Sequence, residues 1–94
     1  MACLASLALT AAANAGAMAT ACATPPGALS KAKCACYEHE LRKVLSADEM
    51  RIEILAFKGK FAEFRTKTKA LGSTKAIDFR KRVQSVINGA TCNR

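Results

Sequence analysis

Downstream of Pro26 the apolar side chains recur at helical spacing, and no alternating run is long enough for a strand. Tyr37, Leu41, Val44 and Leu45 fall at i, i+4, i+7 and i+8, which makes one face of a helix. Ser46-Ala47-Asp48-Glu49 then fits a capping box, with Ser46 as N-cap and Glu49 three places on. The acids of that turn also suit the positive end of a helix dipole. A second helix carries the clearest period. Met50, Ile54, Phe57, Phe61 and Phe64 step by four and three residues, and Leu71 continues the phase, a seam of the kind two packed helices share. Gly59 lies inside this run and costs about 1 kcal/mol relative to Ala if the helix is continuous. Leu71-Gly72-Ser73 reads as a stop, a left-handed glycine cap and a new N-cap. A third helix over 74–88 presents Phe79, Val83, Val86 and Ile87, and Gly89 closes it.

These spans predict helices of roughly 14, 25 and 15 residues, or about 21, 37 and 22 Å at 1.5 Å per residue. Short connections make neighbours antiparallel, with the long middle helix as the spine. The expected class is all-α: a small three-helix bundle or helical hairpin with a long central helix. An Ala-rich segment that resembles a signal peptide precedes it. A core of about seventeen aliphatic and aromatic residues in a domain of roughly 65 is marginal without a staple.

The first 23 residues are unlike the rest. Of twenty alanines, twelve lie before residue 29, whereas every charged side chain lies between Lys31 and Arg94. Leu4, Leu7 and Leu9 sit in an apolar run over 2–13, followed by small residues with A-x-A triplets at 13–15, 15–17, 17–19 and 19–21. An apolar run of about 7–15 residues followed by small residues is what a secretory signal offers its peptidase. The basic start that such signals usually carry is missing. Residues 1–23 are therefore expected to be a signal peptide, 24–30 a Pro/Gly linker and 31–94 the helical domain, in a periplasmic or secreted protein. Ala19-Thr20-Ala21-Cys22 resembles a bacterial lipoprotein box, with Ala19 where a larger aliphatic residue is usual. That resemblance implies a signal ending before Cys22 and a lipid anchor on it.

Cleavage before Cys22 leaves four thiols: Cys22, Cys34, Cys36 and Cys92, which allow three pairings. An oxidising compartment would keep them paired. On a helix Cys34 and Cys36 point about 200° apart, so they should serve different partners. Cys92 is expected to reach one of them, with the other directed to Cys22 or solvent. If the segment is extended instead, Cys34, Cys36, His39 and Cys92 form a three-sulfur, one-nitrogen set suited to Zn²⁺ or Cu(I), or a redox-active thiol pair. The C-x-C spacing is not that of a zinc knuckle, so no metal or other cofactor is expected in the first reading.

The net charge is +8. Lys58, Lys60, Arg65, Lys67, Lys69, Lys75, Arg80, Lys81 and Arg82 stand against Glu63 and Asp78 in one stretch. Such a surface attracts polyanions at low salt. The partners expected are an anionic membrane surface or a cell-wall polymer, and a second copy of the chain is a further candidate. Nucleic acid is less favoured, because the phenylalanines follow the core seam and no zinc finger, basic zipper or RNA-binding signature is present. A solvated basic face that keeps the protein dissolved is the competing explanation. There is no glycine-rich phosphate loop, no H-E-x-x-H and no G-x-S-x-G, and a core this small leaves little room for a ligand pocket. The chain is expected to be no enzyme. It should act by binding or structural support, with thiol-redox or soft-metal chemistry as the alternative.

Overall fold

The structure, a computed structural model, describes residues 16–93. The apolar run over 2–13, Cys3 and the 13–15 triplet lie outside the described residues, as does Arg94. Among the described residues five helices follow one another: α1 over 16–23, α2 Lys31–Val44, α3 Ala47–Phe57, α4 Phe61–Ala70 and α5 Ser73–Ile87. The chain is all-α, with no strand among the described residues.

Local chemistry explains most of the boundaries. The Ser30 hydroxyl accepts from the Lys33 N–H and starts α2. The Leu45 N–H closes α2 on the Leu41 carbonyl, and Ser46 immediately caps α3. The capping box is complete: Ser46 Oγ accepts from the Glu49 N–H at 3.2 Å and Glu49 Oε1 accepts from the Ser46 N–H at 2.9 Å. At the other end, Gly59 adopts φ 77°, a conformation that L side chains rarely take. The Lys60 N–H bonds the Leu55 carbonyl and the Gly59 N–H bonds that of Ala56, the bond pair of a Schellman stop. The expected long central helix is therefore two helices. Its cause is the residue whose cost a continuous helix would have carried.

Met50 is buried, and Ile54, Phe57, Phe64 and Leu71 pack against the core as the seam requires, but Phe61 is 55 % exposed. Phe61 lies three before Phe64 on the same face of α4, but as the first residue of that helix, just past the stop, it stands clear of the core. Val44 also departs from the expected face and is exposed, whereas Tyr37, Leu41 and Leu45 turn inward. Helix α3 packs on α2 and on α4, and accordingly buries Ile52 and Glu53 as well as Met50. The third predicted helix is α5, one residue earlier than expected: Gly72 stands at its N-cap and Ser73 is its first residue.

The packed fold also reaches upstream of Lys31. In α1 Met18 and Cys22 are fully buried, and the Glu38 carboxylate on α2 accepts from the Ala19 N–H at 3.1 Å. Helix α2 forms the stem, with α1 against its first turns and α5 along its length. Met18, Leu41 and Phe79, each fully buried, belong to one hydrophobic cluster drawn from α1, α2 and α5.

Candidate functional site

Two disulfides flank the start of α2. Cys22 pairs with Cys34 and Cys36 with Cys92, each pair with Cα atoms 5.6 Å apart. A helical C-x-C directs its two sulfurs to opposite sides, so one bridge takes α1 and the other takes the C-terminal tail. Hydrogen bonds hold that tail in place. The buried Tyr37 hydroxyl donates to Asn93 Oδ1 at 3.0 Å, and the Asn93 amide donates to the carbonyls of Ile87 and Gly89, both at 2.7 Å. A Cβ on Gly89 would meet the Ser85 carbonyl oxygen at 2.4 Å, so only glycine lets the chain turn back here toward Cys36.

This pairing corrects the alternative site. Cys34, Cys36, His39 and Cys92 do not assemble as ligands, because metal binding needs thiolates and these three sulfurs are joined to others. The His39 side chain is 72 % exposed and turned to Glu40, with Nε2 3.9 Å from Oε2. No ligand cluster occurs among the described residues. A lipid thioether on Cys22 would need the sulfur that the bridge to Cys34 uses, so that anchor and this bridge exclude one another. No helix among the described residues is long and apolar enough to cross a membrane.

The nine bases separate into different settings. Arg82 belongs to the fold. Its Nη1 and Nη2 donate to the two carboxylate oxygens of Glu49 at 2.9 and 2.6 Å, Nη1 also donates to the Val44 carbonyl at 2.6 Å, and Nε donates to Asp78 at 2.9 Å. It ties α5 to the corner between α2 and α3, and is not free to meet a polyanion. The Arg82 guanidinium holds the Glu49 carboxyl down at about 2. The other eight, from Lys58 to Lys81, are exposed and form no ion pair among the described residues. They do not share one face. Lys58 lines a groove with α1 and Pro25, whereas Arg65, Lys69 and Arg80 line an open groove of about 800 Å³ between α4 and α5. No acid lines that second groove, and Phe64, Ala76 and the 55 % exposed Ile77 give it an apolar surface.

A smaller cavity of about 170 Å³ adjoins it, with Phe64 and Arg80 lining both. Glu53 of α3 lines this cavity among Phe64, Phe79 and Val83. Glu53 is 7 % exposed and accepts no hydrogen bond among the described residues. Burial pushes its carboxyl up to about 7. Neither space is legible in the sequence, where Glu53 is one acid among several in helical stretches. The spacing did hold a hint, since Glu53 lies three residues after Met50 and four before Phe57, in phase with the apolar seam. Phe61 carried no comparable hint, because an apolar residue in phase reads as core, whereas Ile77 stands two residues before Phe79, off the apolar face of α5.

Comparison with known protein families, with curated proteins and with solved structures finds no match to this chain.

Proposed function

We propose that this is an exported, disulfide-stapled helical protein that acts by binding, and that the free bases between Lys58 and Lys81 carry its contact with polyanions. The observation behind this reading is that eight bases are exposed and unpaired while α4, which holds three of them, buries only Thr68. Charge so concentrated and so little used by the fold is available for an anionic partner. No catalytic step is assigned. Cys22, Cys34, Cys36 and Cys92 are all paired, which removes their thiols as nucleophiles.

Export fits the two disulfides, because such bonds persist in oxidising compartments. A leader, on this reading, ends before Met18: cutting at the 17–19 or 19–21 triplet would remove a fully buried side chain. The mass of the protein recovered outside the cytosol checks this. An N-terminus at or upstream of Met18 is expected, and one at Ala19 or later refutes it.

Retention on a heparin matrix tests the surface. Binding at low salt should weaken as salt rises, and replacing Lys60, Lys67 and Lys81 together by Gln should release the protein at lower salt. Absence of retention at low ionic strength would remove the polyanion reading.

A further inference from the structure

Glu53 and Arg80 face the same small cavity and do not meet. Neither makes an ion pair among the described residues. Glu53 is nine-tenths buried and accepts no hydrogen bond among the described residues, yet none of its oxygens is both sealed from solvent and unpartnered, so its carboxyl opens on the space beside it, where a ligand group can meet it. The cavity has charged lining from two elements only, Glu53 of α3 and Arg80 of α5; α4 contributes Phe64, and α2 contributes nothing. From Arg80 and Phe64 the surface continues into the α4–α5 groove, which Ala76, Ile77, Arg65 and Lys69 also line.

We propose that this cavity and groove bind a free alkyl carboxylate, its head between Arg80 and Glu53 and its chain along the apolar groove. Charge complementarity fixes the sign of the ligand: three cations line the groove and no acid does. Shape and lining fix the remainder. The small end carries the Arg80 guanidinium, the Gln84 amide and a single titrating carboxyl, and the larger groove offers the apolar surface of Ala62, Phe64, Ala76 and Ile77. The Arg80 guanidinium donates to the head. Glu53 donates too while it holds its proton, because a neutral carboxyl has an O–H and an ionised one has only acceptors. Arg65 and Lys69 lay their methylene stems over the chain while their charges stay in water. Above neutral pH Glu53 is ionised and repels the head, so binding takes up a proton there.

Decanoate is the probe, with the oxidised full-length protein, followed by calorimetry and by amide shifts in α4 and α5. Saturable binding below the micelle concentration is expected, with shifts around Phe64, Ile77 and Val83. Affinity should be about tenfold weaker at pH 8 than at pH 6, the change in the protonated fraction of a carboxyl at about 7. Glu53→Gln, whose amide still donates, should bind equally at both values, and Arg80→Ala should lose at least about tenfold, as an ionic hydrogen bond requires. Lys31→Gln, outside both spaces and outside the Lys58–Lys81 stretch, is the control for general basicity and should bind as the parent does. The inference is overturned if decanoate binds only as micelles or to the same degree as decanol. It is also overturned if Lys31→Gln weakens binding as much as Arg80→Ala, or if the pH dependence survives in Glu53→Gln. Loss of heparin retention with decanoate binding intact would refute the surface reading alone.

Discussion

Two glutamates four residues apart on α3 show how position decides what a carboxyl does. Glu49 satisfies the Ser46 N–H and receives both arms of Arg82, so its charged form is stabilised. Its folded value of about 2 lies below the ordinary 4.5, so its contribution is present above about 4.5 and is lost as pH falls toward 2. Arg82→Ala should cost roughly 1–3 kcal/mol at pH 6 and much less at pH 2. Urea unfolding at the two values, in a cycle with Glu49→Gln, measures this. Glu53 has the opposite sign. Its folded value of about 7 lies above 4.5, so the stability that its neutral form gives is complete below about 4.5 and is lost as pH rises to about 7. Glu53→Gln should flatten the melting temperature between pH 5 and 8, and should stabilise the protein by on the order of 2 kcal/mol at pH 8. A parent whose stability rises across that interval, with the variant following it, would contradict the burial of this carboxyl. The sequence shows only two acids in one helix; which of them meets an arginine depends on what α5 brings alongside.

At the scale of elements, the joint between α3 and α4 decides the shape of the α4–α5 hairpin. Gly59 has φ 77°, and a Cβ there would stand 2.9 Å from Pro26 Cγ. Gly59→Ala should therefore destabilise the protein by about 1–2 kcal/mol for the left-handed conformation alone, and by more for the contact. A continuous helix would respond the other way, gaining about 1 kcal/mol from the alanine, so the sign of the change in a denaturant titration separates the two geometries. The joint also accounts for Phe61. On a straight helix it would lie in the seam; after the Schellman stop it is the first residue of α4 and is exposed. Caps and stops were legible where they depend on neighbours within a few residues: Ser46 with Glu49, and Gly72 ahead of α5. The stop at Gly59 was not, because a glycine in an apolar period fits a continuous helix as well as a break, and only its left-handed backbone decides between them.

For the molecule as a whole, the staples matter more than in a larger protein, because a core of this size gains little beyond the entropy it must offset. The Cys36–Cys92 bridge spans 56 positions and the Cys22–Cys34 bridge spans 12. Chain-entropy reasoning assigns them about 4 and about 3 kcal/mol. Replacing Cys36 and Cys92 together by Ser should remove most of the cooperative melt followed by circular dichroism. The Cys22/Cys34 pair should be less damaging, and should mainly release α1. If the doubly substituted protein melts within a few degrees of the parent, the core is self-sufficient and the staples are incidental.

Helix class, three of the helix starts, the stop at Gly72, the likelihood of sulfur cross-links and the basic character all follow from composition and from short-range spacing, where a residue acts on partners fewer than five positions away. The pairing of the cysteines, the inclusion of α1 in the core, the engagement of Arg82, the burial of Glu53 and the groove between α4 and α5 arise only when distant faces meet. They are set by the direction in which each helix leaves its joint. That direction is a property of the assembled backbone, and no local pattern of residues encodes it.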